Sequence, residues 1–231
     1  MRVFKHMLNS KKSFTMSEVL ITLGIIGIIA AMTLPGLVGK WQKTVHVNRM
    51  KHVYSVISNA FQMSIQDHGS PKEWDWGSNN RKANLTRVVE TYLIPYLSLD
   101  TKDTTLPLFA NEHYAARLKN GTTLLFSLDG CVDSATCNPV SVDQLYITVS
   151  TKGNVNPMEH SSRDYSREDF ILRFSKSNAN LTFFNWGGST REAMKNNSIY
   201  ACNKNIAKNK RYNCGALIFY DGWEIKDDYP W

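Results

Sequence analysis

The sequence lacks the residue patterns that most metal-dependent and catalytic chemistry requires. It has no C-x-x-C, no H-x-x-x-H and no H-E-x-x-H pattern, so common zinc sites are not indicated. It also has no G-x-S-x-G segment, and the GGST turn at 187–190 lacks the frame of a phosphate-binding loop. The sequence therefore offers no catalytic residue set.

The acidic residues near the C-terminus are the candidate metal site that the sequence offers. Carboxylates are ligands that calcium prefers, and four lie close together here: Asp221, Glu224, Asp227 and Asp228. The EF-hand spacing is absent and Lys226 interrupts the cluster. A solvated turn is the favoured interpretation, with Trp223, Tyr229 and Trp231 expected to dock this tail on the sheet. Calcium stays the alternative, and no other cofactor is predicted.

Cysteine is scarce, since the chain has only Cys131, Cys137, Cys202 and Cys214. Two local pairs are typical of two disulfides, which persist in an oxidising compartment. Three pairings are possible, and we favour Cys131–Cys137 with Cys202–Cys214 because these loops close locally. Four buried thiols in a cytosolic protein are the alternative.

Acidic residues are absent from the first thirteen residues, which contain Arg2, Lys5, Lys11 and Lys12. These four charges make up most of the net charge of +7 and leave only +3 for the rest of the chain. A generally basic nucleic-acid-binding protein is therefore not indicated.

Charge is also absent from residues 19–38, which read VLITLGIIGIIAAMTLPGLV. A helix of this length spans about 30 Å, the thickness of the hydrocarbon core of a bilayer. The run is too long for a secretory signal peptide, and no clear small-residue cleavage site follows it. We therefore predict a membrane-spanning helix.

A plain membrane anchor does not explain Glu18, which comes just before this span. An unpaired carboxylate at a membrane edge costs free energy and needs a positive partner. Cleavage between Ser13 and Phe14 would create a free amine about one helical turn from Glu18. A processed chain would then carry both partners of an ion pair.

The segment from Lys11 to Pro35 resembles the prepilin-type cleavage and methylation segment of type IV pilins and type II secretion pseudopilins. The shared features are a basic leader, a small residue before the cut, a first mature phenylalanine, a glutamate and a later proline: Lys11, Lys12, Ser13, Phe14, Glu18 and Pro35. The family usually has glycine where this chain has Ser13, and serine is also small enough for a tight peptidase site.

The resemblance implies that a membrane prepilin peptidase cuts after Ser13 and methylates the amine of Phe14. Glu18 would pair with the amine of a neighbouring subunit and set the axial register of a filament. The implied partners are other pilin or pseudopilin subunits, an inner-membrane assembly platform with its ATPase, and membrane lipid. The expected function is that of a structural filament subunit, minor rather than major, and not an enzyme.

The expected location is the inner membrane, crossed once, with the head outside the cytoplasm and later in a surface or periplasmic filament. Basic residues do not decide the orientation, because Lys40, Lys43, Arg49 and Lys51 follow the span and balance the leader. The cysteines favour the head being outside.

The predicted architecture is α+β, with a long N-terminal helix packed on an antiparallel sheet. Its parts are a leader at 1–13, a helix at 14–66 that spans the membrane over 19–38, and a head at 67–231. Pro35 should bend or unwind the helix. The sequence also predicts a helix at 84–97, a polar loop at 185–211, and strands at 122–128, 144–149, 169–174, 180–184 and 216–220.

Two other functions remain open. In a DNA-uptake pseudopilin the head would contact nucleic acid through a basic loop flanked by Tyr200 and Tyr212: Lys204, Lys208, Lys210 and Arg211. A solvated charged loop is favoured over this interpretation. A membrane-tethered extracytoplasmic enzyme is the third hypothesis, and no catalytic set supports it.

Overall fold

The computed structural model of the chain describes residues 14–77, 81–100, 109–110, 113–128, 144–152 and 162–231. It divides into two compact units, residues 1–44 and residues 45–231, and we call the second unit the head. The leader with Ser13 and the predicted Cys131–Cys137 disulfide lie outside the described residues.

The first helix, α1, covers Met16–His68, close to the predicted 14–66. Gly69 follows the last helical residue, and its φ of 76° is the left-handed conformation that closes many helices. The Gly69 N–H donates to the carbonyl of Ile65 at 2.9 Å. Helical structure continues through Pro35, so the prediction of an unwound stretch there is wrong. The predicted bend stays a prediction.

The sheet of the head is a six-stranded antiparallel meander in which sequence neighbours pair in order. Its strands are β1 Phe109–Ala110, β2 His113–Arg117, β3 Thr123–Leu128, β4 Gln144–Ser150, β5 Asp169–Ser175 and β6 Asn180–Phe183. Alternation of side chains places one row on the core face, where Phe126, Ile147, Leu172 and Phe183 lie in register. Four of the five predicted strands correspond to β3–β6, whereas β1 and β2 were not predicted.

The core of the head forms between this sheet and the C-terminal half of α1. Met50, Val53, Ile57 and Phe61 recur at helical spacing and are at most 1% exposed. The ring of Phe61 stacks on Phe174 of β5, with centroids 3.8 Å apart. The predicted α+β class, with a long helix and an antiparallel sheet, is therefore confirmed.

A second helix, α2, covers Arg81–Tyr92 and is followed by a 3₁₀ turn at Ile94–Tyr96. The sequence predicts one helix at 84–97, whereas the observed helix begins three residues earlier and gives way to the 3₁₀ turn that contains Pro95. Tyr92 stacks on Trp74 at 4.4 Å, which joins the segment after α1 to the core.

The prediction of a strand at 216–220 is wrong, because Cys214–Tyr220 forms a helix, α4. Residues 216–220 read ALIFY, and such a short apolar run has no period that separates a strand from a buried helix. A side chain at Gly215 would lie 2.9 Å from Phe183, so glycine lets α4 approach the sheet closely.

The predicted irregular loop at 185–211 is also partly wrong, because it contains a short helix, α3, at Arg191–Asn196. Thr190 caps this helix by accepting a hydrogen bond from the Ala193 N–H at 3.2 Å.

Candidate assembly segment

The part of α1 that precedes the head exposes apolar side chains on all sides. Among the described residues, α1 is the one helix long and apolar enough to cross a membrane. Large apolar side chains between Phe14 and Trp41 are 42–85% exposed. A helix that is apolar all round needs lipid or other helices around it. We call residues 14–44 the N-terminal segment.

Thr15 and Glu18 form a capping box at the start of α1. The backbone N–H of Thr15 donates to Glu18 Oε2 at 2.8 Å, and the Thr15 hydroxyl donates to the same oxygen at 2.9 Å. In return, the Glu18 N–H donates to Thr15 Oγ1 at 3.2 Å. The carboxylate is therefore held at the helix terminus, beside the predicted cleavage position at Phe14.

The capping box occupies only one oxygen of the Glu18 carboxylate. Among the described residues, Oε1 accepts no hydrogen bond and no cation pairs with the group. Sequence reasoning missed the role of Thr15, although the T-x-x-E pattern before an apolar run was there to find it.

Four glycines in this segment have no packing contact among the described residues that would require glycine. Space is open around an added Cβ at Gly24, Gly27, Gly36 and Gly39. Glycine weakens a helix by about 0.5–1 kcal/mol relative to alanine. Small residues are favoured where another helix approaches closely, so these positions suit helix–helix contact.

Of the predicted DNA-contact residues, Lys204, Lys208 and Lys210 are exposed, but Arg211 is buried. The Arg211 guanidinium donates to the carbonyls of Ile206, Pro230 and Lys204 and to the Ser166 hydroxyl, at distances of 2.8–3.4 Å. It holds the C-terminal tail to the head, so its prediction as a surface contact is wrong. DNA contact by the three lysines stays a prediction.

The aromatic residues beside this loop are fixed by the predicted Cys202–Cys214 disulfide, which is present, and by buried Asn213. The rings of Tyr200 and Tyr212 stack at 4.7 Å. The Asn213 side chain bonds both the N–H and the carbonyl of Trp186, at 2.8 and 3.0 Å. The loop is therefore ordered by contacts that the sequence does not reveal.

Two of the four C-terminal acids, Asp221 and Asp228, are paired with cations. Arg191 contacts Asp221 and Asp228 at 2.8 Å each. Lys195 lies 2.6 Å from Asp228 and Lys226 lies 2.9 Å from Asp221. Hydrogen bonds from Arg191 and Lys195 lower the pKa of Asp228. Burial alone would raise the pKa of Asp221, but its bonds to Arg191 and Lys226 lower it.

These ion pairs use the oxygens that a calcium ion would need. Among the described residues, no group of three or more His, Cys, Asp or Glu side chains is placed to hold a metal. Asp221 and Asp228 therefore form a structural ion-pair network with α3.

Of the three C-terminal aromatic residues, Trp223 docks on the sheet as the sequence predicts, whereas Tyr229 and Trp231 contact the segment before β5 and helix α1. Trp223 contacts Phe183 of β6 at 5.6 Å. The buried Tyr229 donates its hydroxyl to the Ser166 carbonyl at 2.9 Å. Trp231 lies 5.7 Å from the ring of His46, a histidine of α1 that is buried.

Comparison with known proteins adds two matches. Residues 8–34 match the family model described as "Prokaryotic N-terminal methylation motif", so the chain carries a type IV pilin-like prepilin segment. Residues 36–231 match the model described as "Family of unknown function (DUF6613)". No curated protein and no solved structure matches the chain. Because the second model covers most of the sequence, the chain belongs to the DUF6613 family, and it carries a pilin-like N-terminus in addition.

Proposed function

We propose that the chain is a minor pilin or pseudopilin that assembles into a type IV pilus-like or type II secretion filament. The observation that carries this proposal is the exposed, apolar N-terminal segment with a single carboxylate, Glu18, at its start. Nothing in the described part of the chain covers this surface, and a bundle of identical helices would cover it.

Assembly would begin with cleavage after Ser13 and N-methylation of Phe14. The cut leaves a positive amine at the terminus of each subunit, one residue before the capping box. The capping box fixes one oxygen of Glu18 and leaves Oε1 for the amine of a neighbouring subunit. An ion pair costs far less in a low-dielectric helix bundle than either isolated charge.

The charge pair would also set the register of the filament. The apolar side chains of the N-terminal segment can pack at many axial offsets, because dispersion contacts are not directional. Only one offset brings an amine to Glu18, so a misaligned subunit buries two unpaired charges. The main effect of the charge pair would therefore be to select one axial offset between neighbouring subunits.

The remaining partners follow from this function. A prepilin peptidase would process the chain, and an inner-membrane platform with its ATPase would drive assembly from the membrane. The head would lie outside the cytoplasm, which the Cys202–Cys214 disulfide supports because such bonds persist in oxidising compartments. The role is structural, and the chain itself performs no reaction.

The experiment separates the charge of Glu18 from its capping role. Glu18→Gln keeps an oxygen that accepts hydrogen bonds from Thr15 but removes the negative charge, whereas Glu18→Ala removes both. We expect both variants to reach the membrane. The amount of each variant in the sheared filament fraction should fall at least about tenfold, which corresponds to a loss of roughly 1.4 kcal/mol or more in the free energy of each subunit contact.

Glu224→Gln is the matched control, because Glu224 is an exposed carboxylate of the head. It should appear in the filament fraction at the parent level. Incorporation of Glu18→Gln at the parent level would reject charge pairing and leave Glu18 as a helix cap.

A further inference from the structure

The stretch of α1 that follows the apolar run carries positive charge that the described part of the chain leaves unpaired. Four basic residues lie here, and residues 19–66 contain no aspartate or glutamate: Lys40, Lys43, Arg49 and Lys51. Lys40, Arg49 and Lys51 are exposed, and Lys43 is half-buried. Among the described residues, none of the four forms an ion pair. These charges are therefore open to a partner outside the chain.

The position of these charges opposes the usual bias of membrane proteins. If the chain is processed and oriented as in the proposed function, on which this inference rests, cleavage after Ser13 removes the four basic residues of the leader. The mature chain then keeps flanking cations only on the side of the head, outside the cytoplasm. Basic residues close to a span favour the cytoplasmic side instead. An arrangement against this bias calls for negative charge at the outer face of the membrane.

Helix geometry places the first two lysines at the depth of the lipid headgroups. The apolar run ends at Val38, and a rise of 1.5 Å per residue puts Lys40 and Lys43 about 3 Å and about 8 Å beyond it along the axis of α1. The headgroup layer is roughly 5–7 Å thick on each side of the hydrocarbon core. Trp41 lies between the two lysines and is 64% exposed, and tryptophan is enriched in this layer.

The other two cations lie farther out. By the same rise, Arg49 and Lys51 are about 16 Å and about 20 Å beyond Val38, which is roughly a Debye length outside the headgroup layer. Lys51 also lies over the ring of Trp223, 5.7 Å from its centroid. Salt screens charges at this distance, so Arg49 and Lys51 should contribute little to lipid contact.

A neighbouring N-terminal segment does not supply the missing negative charge. Residues 14–66 contain one acid, Glu18, and the proposed filament pairs its carboxylate with an amine. Identical helices side by side would bring further cations to the same depth. Phospholipid headgroups are the source of negative charge at this depth, because anionic lipids give a membrane surface its negative potential.

We propose that Lys40, Trp41 and Lys43 form an interfacial site that binds the headgroups of anionic phospholipids. The two ammonium groups would contact the headgroup phosphates, since long lysine stems let the charge reach the polar layer. The indole of Trp41 would hold this depth. A lysine near an anionic surface contributes about fivefold to binding, so the site should select anionic over zwitterionic lipid by more than about tenfold.

The test is native mass spectrometry of the full chain in neutral detergent micelles. Phosphatidylglycerol serves as the anionic probe, and phosphatidylcholine with the same acyl chains serves as the zwitterionic probe. The reference chain has the leader cations replaced, so that lipid bound to the leader does not contribute: Arg2→Gln, Lys5→Gln, Lys11→Gln and Lys12→Gln. We expect this chain to bind phosphatidylglycerol at least about tenfold tighter than phosphatidylcholine. Equal affinity for the two lipids would overturn the proposal.

Two double variants of the reference chain locate the site. Lys40→Gln with Lys43→Gln should bring the affinity for phosphatidylglycerol to within about threefold of that for phosphatidylcholine. Arg49→Gln with Lys51→Gln is the matched control, because it removes the same charge from the same helix. It should weaken phosphatidylglycerol binding by no more than about twofold. An equal loss in the two double variants would overturn the site and reduce the effect to overall charge.

The lipid measurement does not require filament assembly, so its failure can be told apart from failure of the proposed function. Equal affinity for the two lipids, with Glu18→Gln lost from filaments, would overturn the interfacial site and leave filament assembly standing. Selection of phosphatidylglycerol, with Glu18→Gln assembled at the parent level, would support the interfacial site of a membrane anchor and reject charge pairing in a filament.

Discussion

The N-terminal segment and the head use the same kinds of apolar residue in opposite ways. In the head, large side chains such as Phe61, Phe126 and Leu172 are at most 1% exposed. In the N-terminal segment, Leu20, Leu23 and Ile26 are 60–65% exposed. The head therefore buries a core within one chain, whereas the apolar side chains of the N-terminal segment are left for partners or lipid to cover.

Glycine shows the same contrast. In the head, Gly215 is required because an added Cβ would lie 2.9 Å from Phe183 and 3.1 Å from Phe170. In the N-terminal segment, Gly24 and Gly27 meet nothing within 4 Å. The proposed packing of this segment against other subunits would give these glycines a role that the described residues of the chain do not give them.

The largest expected effect comes from a core deletion in the head. Phe61→Ala removes a ring that stacks on both Phe174 and Trp74, so the free energy of unfolding should fall by about 3–5 kcal/mol. Leu23→Ala is the matched change in the N-terminal segment and should leave this free energy unchanged. Denaturant titration of the full chain in micelles, followed by tryptophan fluorescence, measures both. A comparable loss in Leu23→Ala would contradict the contrast.

A smaller effect is expected from the glycines. Gly215→Ala forces a methyl group against two phenylalanines and should lower the free energy of unfolding by about 1–3 kcal/mol. Gly24→Ala should leave the head unaffected but reduce the amount of the subunit in sheared filaments. If Gly24→Ala assembles at the parent level, close helix approach at this position is disproved.

The smallest effect concerns the ion pairs of the head. The pKa values of Asp221 and Asp228 are lowered in the folded chain. Their contribution to the free energy of unfolding is therefore present at neutral pH and is lost as the pH falls below about 4. Arg191→Gln should cost about 1–2 kcal/mol at pH 7 and should make the acid loss of stability shallower. Unfolding titrations at several pH values measure this slope.

Lys226→Gln is the control for the pH experiment, since Lys226 is more exposed than Arg191 and, among the described residues, forms an ion pair with Asp221 alone. It should change both stability and slope less than Arg191→Gln. An unchanged acid slope in Arg191→Gln would show that the network does not govern stability at low pH.

The parts of the fold that could be predicted are those with a clear local signal. Helix α1 follows from an apolar run and a helical repeat through Met50, Val53 and Ile57. Strands β3–β6 follow from short runs of high strand propensity that are bounded by turn residues. Strand β2 reads HYAAR, which has low strand propensity, and its pairing with β3 decides its structure.

The predictions that failed concern long-range contacts. The apolar run at 216–220 fits strand and helix equally, and packing against Phe183 selects the helix. The sequence context of Arg211 predicts a surface cation, but the side chain is buried and donates hydrogen bonds to three backbone carbonyls. Thr15 is the exception, since its capping pattern is visible in the sequence.

The mass of the mature N-terminus tests the central claim most directly. The protein should be purified from membranes of cells that contain an active prepilin peptidase and fragmented to identify its first residue. The account predicts a chain that begins at N-methylated Phe14. A chain that still begins at Met1, or that begins at Phe14 without the methyl group, would contradict it.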